Sequence, residues 1–264
     1  MQAVLFDIDG VLLFKGAALP GAAATLNWVR QQGIPHRFLT NTTSKPARRI
    51  AADLQAAGIA AQEADILTPP IAARLWLQQQ HKQRLHVLLP QAVYSEFGMF
   101  DLSGGEQAEA LVIGDMGAGF TFEVLNQAFR VLMADPDIPL LALGMTRYFA
   151  AADGLQLDVG PFVKALEYAT GREALVMGKP AASFFQQALA ALNVTAEQTL
   201  MIGDDRIGDV LGAQACGIHG ALVRTGKYRP GDEDADSAGL QPQYLLDTVA
   251  DLPALWQRMP LSSR

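Results

Sequence analysis

The chain has a single cysteine, Cys216, among 264 residues. No intrachain disulfide can form, and the chain suits a reducing compartment. Cys216 closes the helical-looking run Val210–Cys216 and reads as a small buried apolar residue. Long apolar runs are also missing. None approaches the ~18 residues that a spanning helix needs. The first apolar run is cut by Asp7 and Asp9 and has no basic leader, so no secretory signal is expected and a cytoplasmic soluble enzyme is. Positive charge is scarce: charged residues make up 18%, with a formal net charge of −7. Nucleic acid and anionic membrane both reward Lys/Arg clusters, so neither is expected as a partner. Local basic spots remain, such as Lys45, Arg48 and Arg49. The G-x-x-x-x-G-K-[ST] loop and the G-x-S-x-G elbow are both absent. His36, His81, His86 and His219 are scattered, which excludes a zinc-type cluster. Gly114-Asp115-Met116-Gly117-Ala118-Gly119 lacks the G-x-G-x-x-G order and reads as a turn.

Half of the chain is hydrophobic, enough for one large domain or two modest ones. Ala3–Phe6 reads as a buried parallel strand, and 20–32 as a helix stopped by Gly33. His36–Leu39 is a second strand, followed by a helix over 45–57 that Gly58 closes. The rhythm returns late in the chain. A helix over 182–193 leads to a strand at 199–202, a helix over 209–216, a strand at 220–223 and a last helix over 252–258. Alternating strands and helices predict an α/β fold with a Rossmann-like parallel sheet. Between the two halves lie strands at 85–89, 110–113 and 140–143 and helices at 122–134 and 161–170. They suggest a second, smaller α/β domain inserted into the first. Residues 229–243, rich in Pro, Gly and Asp, read as an exposed loop.

Four polar clusters follow predicted strands, where open parallel sheets bind ligands. Asp7-Ile8-Asp9-Gly10 places two carboxylates at a turn. Asp7 can attack phosphorus and bind a metal, while Asp9 can protonate the leaving oxygen and then deprotonate water. Alone, the pair is equally an Asp-rich turn. Thr40-Asn41 offers a hydroxyl and backbone N–H groups to a phosphate oxygen, or caps the next helix. Gly178-Lys179-Pro180 puts Lys179 at a strand end, free to reach inward or, taken alone, a surface lysine, with Pro180 expected as the first helical residue. Gly203-Asp204-Asp205 with Asp209 offers hard oxygen ligands that suit Mg²⁺, and Asp205 is equally a helix cap. Carboxylates at neighbouring strand ends repel unless a lysine and a cation offset them. The same charges would steady a transferring phosphoryl group.

In that order the four clusters resemble the signature of the haloacid dehalogenase superfamily. The segment between the second and third resembles the large α/β cap of its class IIA branch. Phe38–Thr43 and Val223–Tyr228 also look like that branch. Asn126–Arg130 and Pro161–Tyr168 resemble the group of phospholysine phosphohistidine inorganic pyrophosphate phosphatases and their hydrolase-domain relatives. The resemblance implies a phosphatase core at 1–77 and 178–264 with a cap at 78–177. It implies Asp7 as nucleophile, Asp9 as acid/base, and Thr40, Asn41 and Lys179 as phosphate binders. It also implies Mg²⁺ held by the Asp7 side chain, the Asp9 carbonyl and Asp204, with Asp209 in support. The substrate would be a small phosphorylated metabolite. Cap-mediated dimers occur in that family, so a homodimer is the assembly it allows. Gly144–Tyr148 stands where many such caps carry an Asn/Asp-rich loop. It reads as a solvated loop in which Arg147 and Tyr148 can reach a substrate. Two rival functions share this fold: a phosphotransferase or mutase, and a non-catalytic phosphate-binding regulator.

Overall fold

The computed structural model describes residues 1–151 and 154–259. The chain forms two compact units. The first comprises Met1–Thr40, Ala47–Leu67 and Lys179–Arg264, and the second Asn41–Pro46 and Thr68–Gly178.

The first unit is built on a six-stranded parallel sheet. Strand Ala3–Asp7 is buried along its whole length. It pairs with Thr199–Gly203 on one side and His36–Leu39 on the other. Ile66–Leu67 extends the sheet past His36–Leu39. His219–Val223 and Tyr244–Leu246 extend it on the opposite side. Continuous apolar runs, rather than alternating ones, suit strands covered on both faces. The chain fills one flank of Ala3–Asp7 before returning to fill the other. The strand order therefore reverses between Ala3–Asp7 and Thr199–Gly203, and such a reversal opens a crevice beyond the strand ends.

Helix Ala47–Ala56 shows why its sequence packs. Its buried residues, Ala47, Ile50, Ala51 and Leu54, follow the i, i+3, i+4, i+7 spacing of one face. Helix Ala182–Leu192 corrects one expectation: it starts at Ala182 with Ala181 as N-cap, so Pro180 is not its first residue. Pro180 instead packs on Gly212, where a side chain would crowd its ring. The helix expected over 209–216 is also different. A π-helical turn, Arg206–Leu211, precedes a short α-helix, Gly212–Ala215. Cys216 is half-buried rather than buried.

The second unit carries a four-stranded parallel sheet of Leu85–Leu88, Ala110–Ile113, Leu140–Ala142 and Leu175–Val176, in that order across the sheet. Helices Phe122–Ala134 and Val159–Thr170 pack on it through Ala128, Val131, Leu132 and Val163. Thr121 and Asp158 cap their first turns. Helix Pro69–Gln79 also belongs here, capped by Thr68. The Gly144–Tyr148 stretch is not wholly loop: Tyr148 opens an antiparallel hairpin of Tyr148–Ala151 and Gly154–Leu157. Arg147 lies over the exposed Tyr148 ring, 5.9 Å from its centroid. Among the described residues, no helix is long and apolar enough to cross a membrane.

Candidate active site

In the first unit, polar side chains gather at the reversal of strand order. Phe6 lies opposite Ile202 in the sheet. Asp7 and Gly203-Asp204 therefore leave neighbouring strands at the same level. Asp7, Asp204 and Asp209 are all buried, and one carboxylate oxygen from each lies within 4.8 Å of the others. Lys179 is buried among them. Its Nζ is 2.5 Å from Asp7 Oδ1 and 2.6 Å from Asp209 Oδ1.

Local structure explains how each group arrives. Asp205 caps the π-helical turn, its Oδ1 accepting the N–H groups of Ile207 at 3.1 Å and Gly208 at 2.8 Å. The wider turn closes with Asp209 N–H and Val210 N–H both donating to Asp205 O. Asp209 then folds back over the strand end, and its Oδ2 accepts Asp205 N–H at 3.2 Å. Position 203 has to be glycine, because a Cβ there would collide with the Asp209 carboxylate. Gly10 takes a φ of +84°, and a Cβ on it would collide with Asp204. That close approach is available only to glycine.

The electrostatics follow from burial. Three carboxylates face one ammonium, so two negative charges would go uncompensated if all ionised. Burial pushes Asp7 up to about 6, with Lys179 opposing and Asp204 adding to the rise. Asp209 is pushed up to about 7 by burial and by the Asp7 charge, against the pull of Lys179. Burial and the Asp209 charge also raise Asp204, opposed by the Lys227 N–H. Burial works against the Lys179 ammonium, yet attraction to Asp209 and Asp7 wins and raises its pKa. Such a cluster is short of positive charge.

A divalent cation fits that shortage. The donors are hard carboxylate oxygens, the set that Mg²⁺ takes. Asp204 Oδ1 is buried and has no hydrogen-bond donor among the described residues. A buried charged oxygen without a partner is costly unless a cation answers it.

The other expected residues sort differently. Asp9 is exposed on the turn after Asp7. Thr40 is buried at the end of its strand, its N–H donating to Leu67 O at 3.2 Å. Asn41 is exposed and begins the short segment grouped with the second unit. Thr225, Gly226 and Lys227 were not among the expected site residues, although they adjoin Asp204: Lys227 N–H donates to Asp204 Oδ2 at 2.7 Å. Their run, Val223–Tyr228, stood out only by resemblance. A backbone N–H leaves no mark on residue type.

Two family models match the chain: Haloacid dehalogenase-like hydrolase over residues 4–103 and HAD-hydrolase-like over 176–252. A phospholysine phosphohistidine inorganic pyrophosphate phosphatase of Rattus norvegicus is 42% identical over 237 residues, covering 88% of this chain and 86% of the rat protein. The haloacid dehalogenase-like hydrolase domain-containing protein 2 of Bos taurus is 40% identical over 236 residues, covering 89% of this chain and 88% of its own. Among solved structures, a p-nitrophenyl phosphatase from Archaeoglobus fulgidus superposes with a TM-score of 0.85. It is 26% identical and covers 96% of this chain and 98% of its own.

Proposed function

We propose, from the premise that this chain belongs to the haloacid dehalogenase-like hydrolases and is a phosphatase, that it hydrolyses a small phosphorylated metabolite through a phospho-aspartyl intermediate on Asp7. The observation that carries this reading is one arrangement. Asp7 is buried at the end of the central strand, paired with Lys179, and meets Asp204 and Asp209 at a single point.

In the proposed reaction an Asp7 carboxylate oxygen attacks phosphorus. The bond from phosphorus to the leaving oxygen or nitrogen breaks, and its electron pair stays with the leaving atom. Asp9, exposed and free of the buried cluster, gives that atom a proton. Asp9 then takes a proton from water, whose oxygen attacks phosphorus and releases phosphate. Asp7 leaves as a carboxylate, ready for another turn. Lys179 keeps Asp7 ionised and offsets charge on the phosphoryl oxygens, while Asp209 holds Lys179 in place. Thr40 and Asn41 are the proposed phosphate grip. Mg²⁺, held by Asp7, the Asp9 carbonyl and Asp204 with Asp209 in support, would supply further charge neutralisation to the transferring group.

The substrates proposed are those the relatives' names describe: phosphoamides such as phospholysine and phosphohistidine, inorganic pyrophosphate, and p-nitrophenyl phosphate as a test compound. The second unit, read as the inserted cap, is the proposed source of substrate choice.

The test is phosphate release from p-nitrophenyl phosphate and from pyrophosphate. Asp7→Asn should lower turnover by about 10⁴-fold or more. EDTA should stop the wild type until Mg²⁺ is restored. Wild-type rates in Asp7→Asn protein would sink the phospho-aspartyl route.

A further inference from the structure

The turn that follows strand His219–Val223 touches the carboxylate cluster through a backbone N–H as well as through the Lys227 charge. We infer that Thr225-Gly226-Lys227 is a positioning element that aims Asp204 at the bound cation, an inference that rests on the metal reading above.

Three observations carry it. The Lys227 N–H holds Asp204 Oδ2 at 2.7 Å. With that oxygen taken, Oδ1 is the one left buried without a donor among the described residues. Gly226 and Gly10 meet backbone to backbone beside the same carboxylate. Both have positive φ, +63° and +84°, and a Cβ on either would collide with Asp204 Oδ2. A Cβ on Gly226 would also lie 2.6 Å from Gly10 Cα. The third is the Thr225 hydroxyl, which donates to Gly10 O. That bond ties the turn after one strand to the turn that carries Asp7 and Asp9, although 215 residues separate the partners.

The Asp204 carboxylate thus lies against two glycine turns that touch each other, and it is gripped at one oxygen. The Lys227 ammonium does not supply this grip, because its Nζ pairs with Asp205 Oδ2 at 3.1 Å. A carboxylate fixed at one oxygen cannot rotate away from the cluster. Its free oxygen therefore pays little ordering entropy when it binds a cation. Groups that orient a ligand in this way typically change metal affinity by about 10- to 100-fold when removed.

The test uses the full-length protein stripped of metal. Mg²⁺ binding is measured by calorimetry without substrate, and the Mg²⁺ needed for half-maximal turnover is measured separately. Gly226→Ala should weaken Mg²⁺ binding by about tenfold or more, since a Cβ has no place beside Asp204. Thr225→Val, at a half-buried position, should weaken it by a smaller factor, and Thr225→Ser should restore it. At saturating Mg²⁺, KM should change little in any of the three. Gly226→Ala protein is first checked by circular dichroism. If it does not fold, the Thr225→Val and Thr225→Ser pair decides. Equal Mg²⁺ affinity in folded variants and wild type would overturn this inference. Wild-type protein that binds no Mg²⁺ would instead overturn the metal reading beneath it.

Discussion

The tripeptide Ile-Gly-Asp occurs twice at the end of a parallel strand, and its two copies have different fates. Ile113-Gly114-Asp115 ends strand Ala110–Ile113 in the second unit, and Ile202-Gly203-Asp204 ends strand Thr199–Gly203 in the first. Asp115 is half-buried and turns back on its own loop, its Oδ1 accepting Gly117 N–H at 2.9 Å. Asp204 is buried and meets Asp7 and Asp209. The glycines differ as well. A Cβ on Gly114 would press on Leu89 and Leu143, whereas one on Gly203 would strike the Asp209 carboxylate. Strand order separates the two copies. In the second sheet the strands follow in chain order, so no reversal of strand order falls beside Asp115. In the first the order reverses beside Asp7, which brings distant strand ends together. A strand-end Gly-Asp is an ordinary turn until topology supplies it with partners.

Substitution of the two aspartates should break the symmetry widely. Asp204→Asn should cost about a hundredfold or more in turnover at limiting Mg²⁺, about 2.7 kcal/mol at 1.36 kcal/mol per decade. Mg²⁺ titration of the rate checks this, and full activity at unchanged Mg²⁺ demand would put the metal elsewhere.

A second contrast is in pH. Asp7 and Asp209 are pushed up to about 6 and about 7, above the ordinary carboxylate value of 3.8. The folded protein therefore binds protons more tightly than the unfolded chain. The stability this gives is full below about pH 4 and is lost as pH rises through about 6 to 7. Cation-free protein should melt lower at about pH 8 than at about pH 5. Added Mg²⁺ should raise the melting temperature more at the higher pH, because cations need ionised carboxylates. Thermal unfolding in EDTA and in Mg²⁺ at both pH values measures it. A Mg²⁺ effect independent of pH would contradict the buried cluster.

The smallest effect belongs to the second copy. Asp115→Ala removes one turn hydrogen bond and should cost about 1 kcal/mol of stability. Mg²⁺ affinity should be unchanged by calorimetry, and a weakened affinity would count against the contrast between the two copies.

Long periodic segments were legible in the sequence. The helix expected over 122–134 and the one over 252–258 match the observed Phe122–Ala134 and Leu252–Arg258. Shorter elements were not. Ile66–Leu67 and Tyr244–Leu246 are too brief to show a period and become strands only by pairing with a neighbour. Helix Pro69–Gln79 carried no expectation; it begins with two prolines, which suit a first helical turn. Strand Gly154–Leu157 of the hairpin is exposed along its length, Leu155 and Leu157 included, so no buried face marked it as a strand.

The sequence alone determined the alternating α/β order, because apolar runs and glycine stops act within a few residues. It also put aspartates and a lysine at strand ends, since those residue types can be read directly. Tertiary structure decided which of those ends meet. It buried Asp209 against Lys179 and gripped Asp204 by the Lys227 backbone, while Asp115 kept a local bond. Burial and convergence depend on strand order across the sheet, and local patterns of residues do not encode that order.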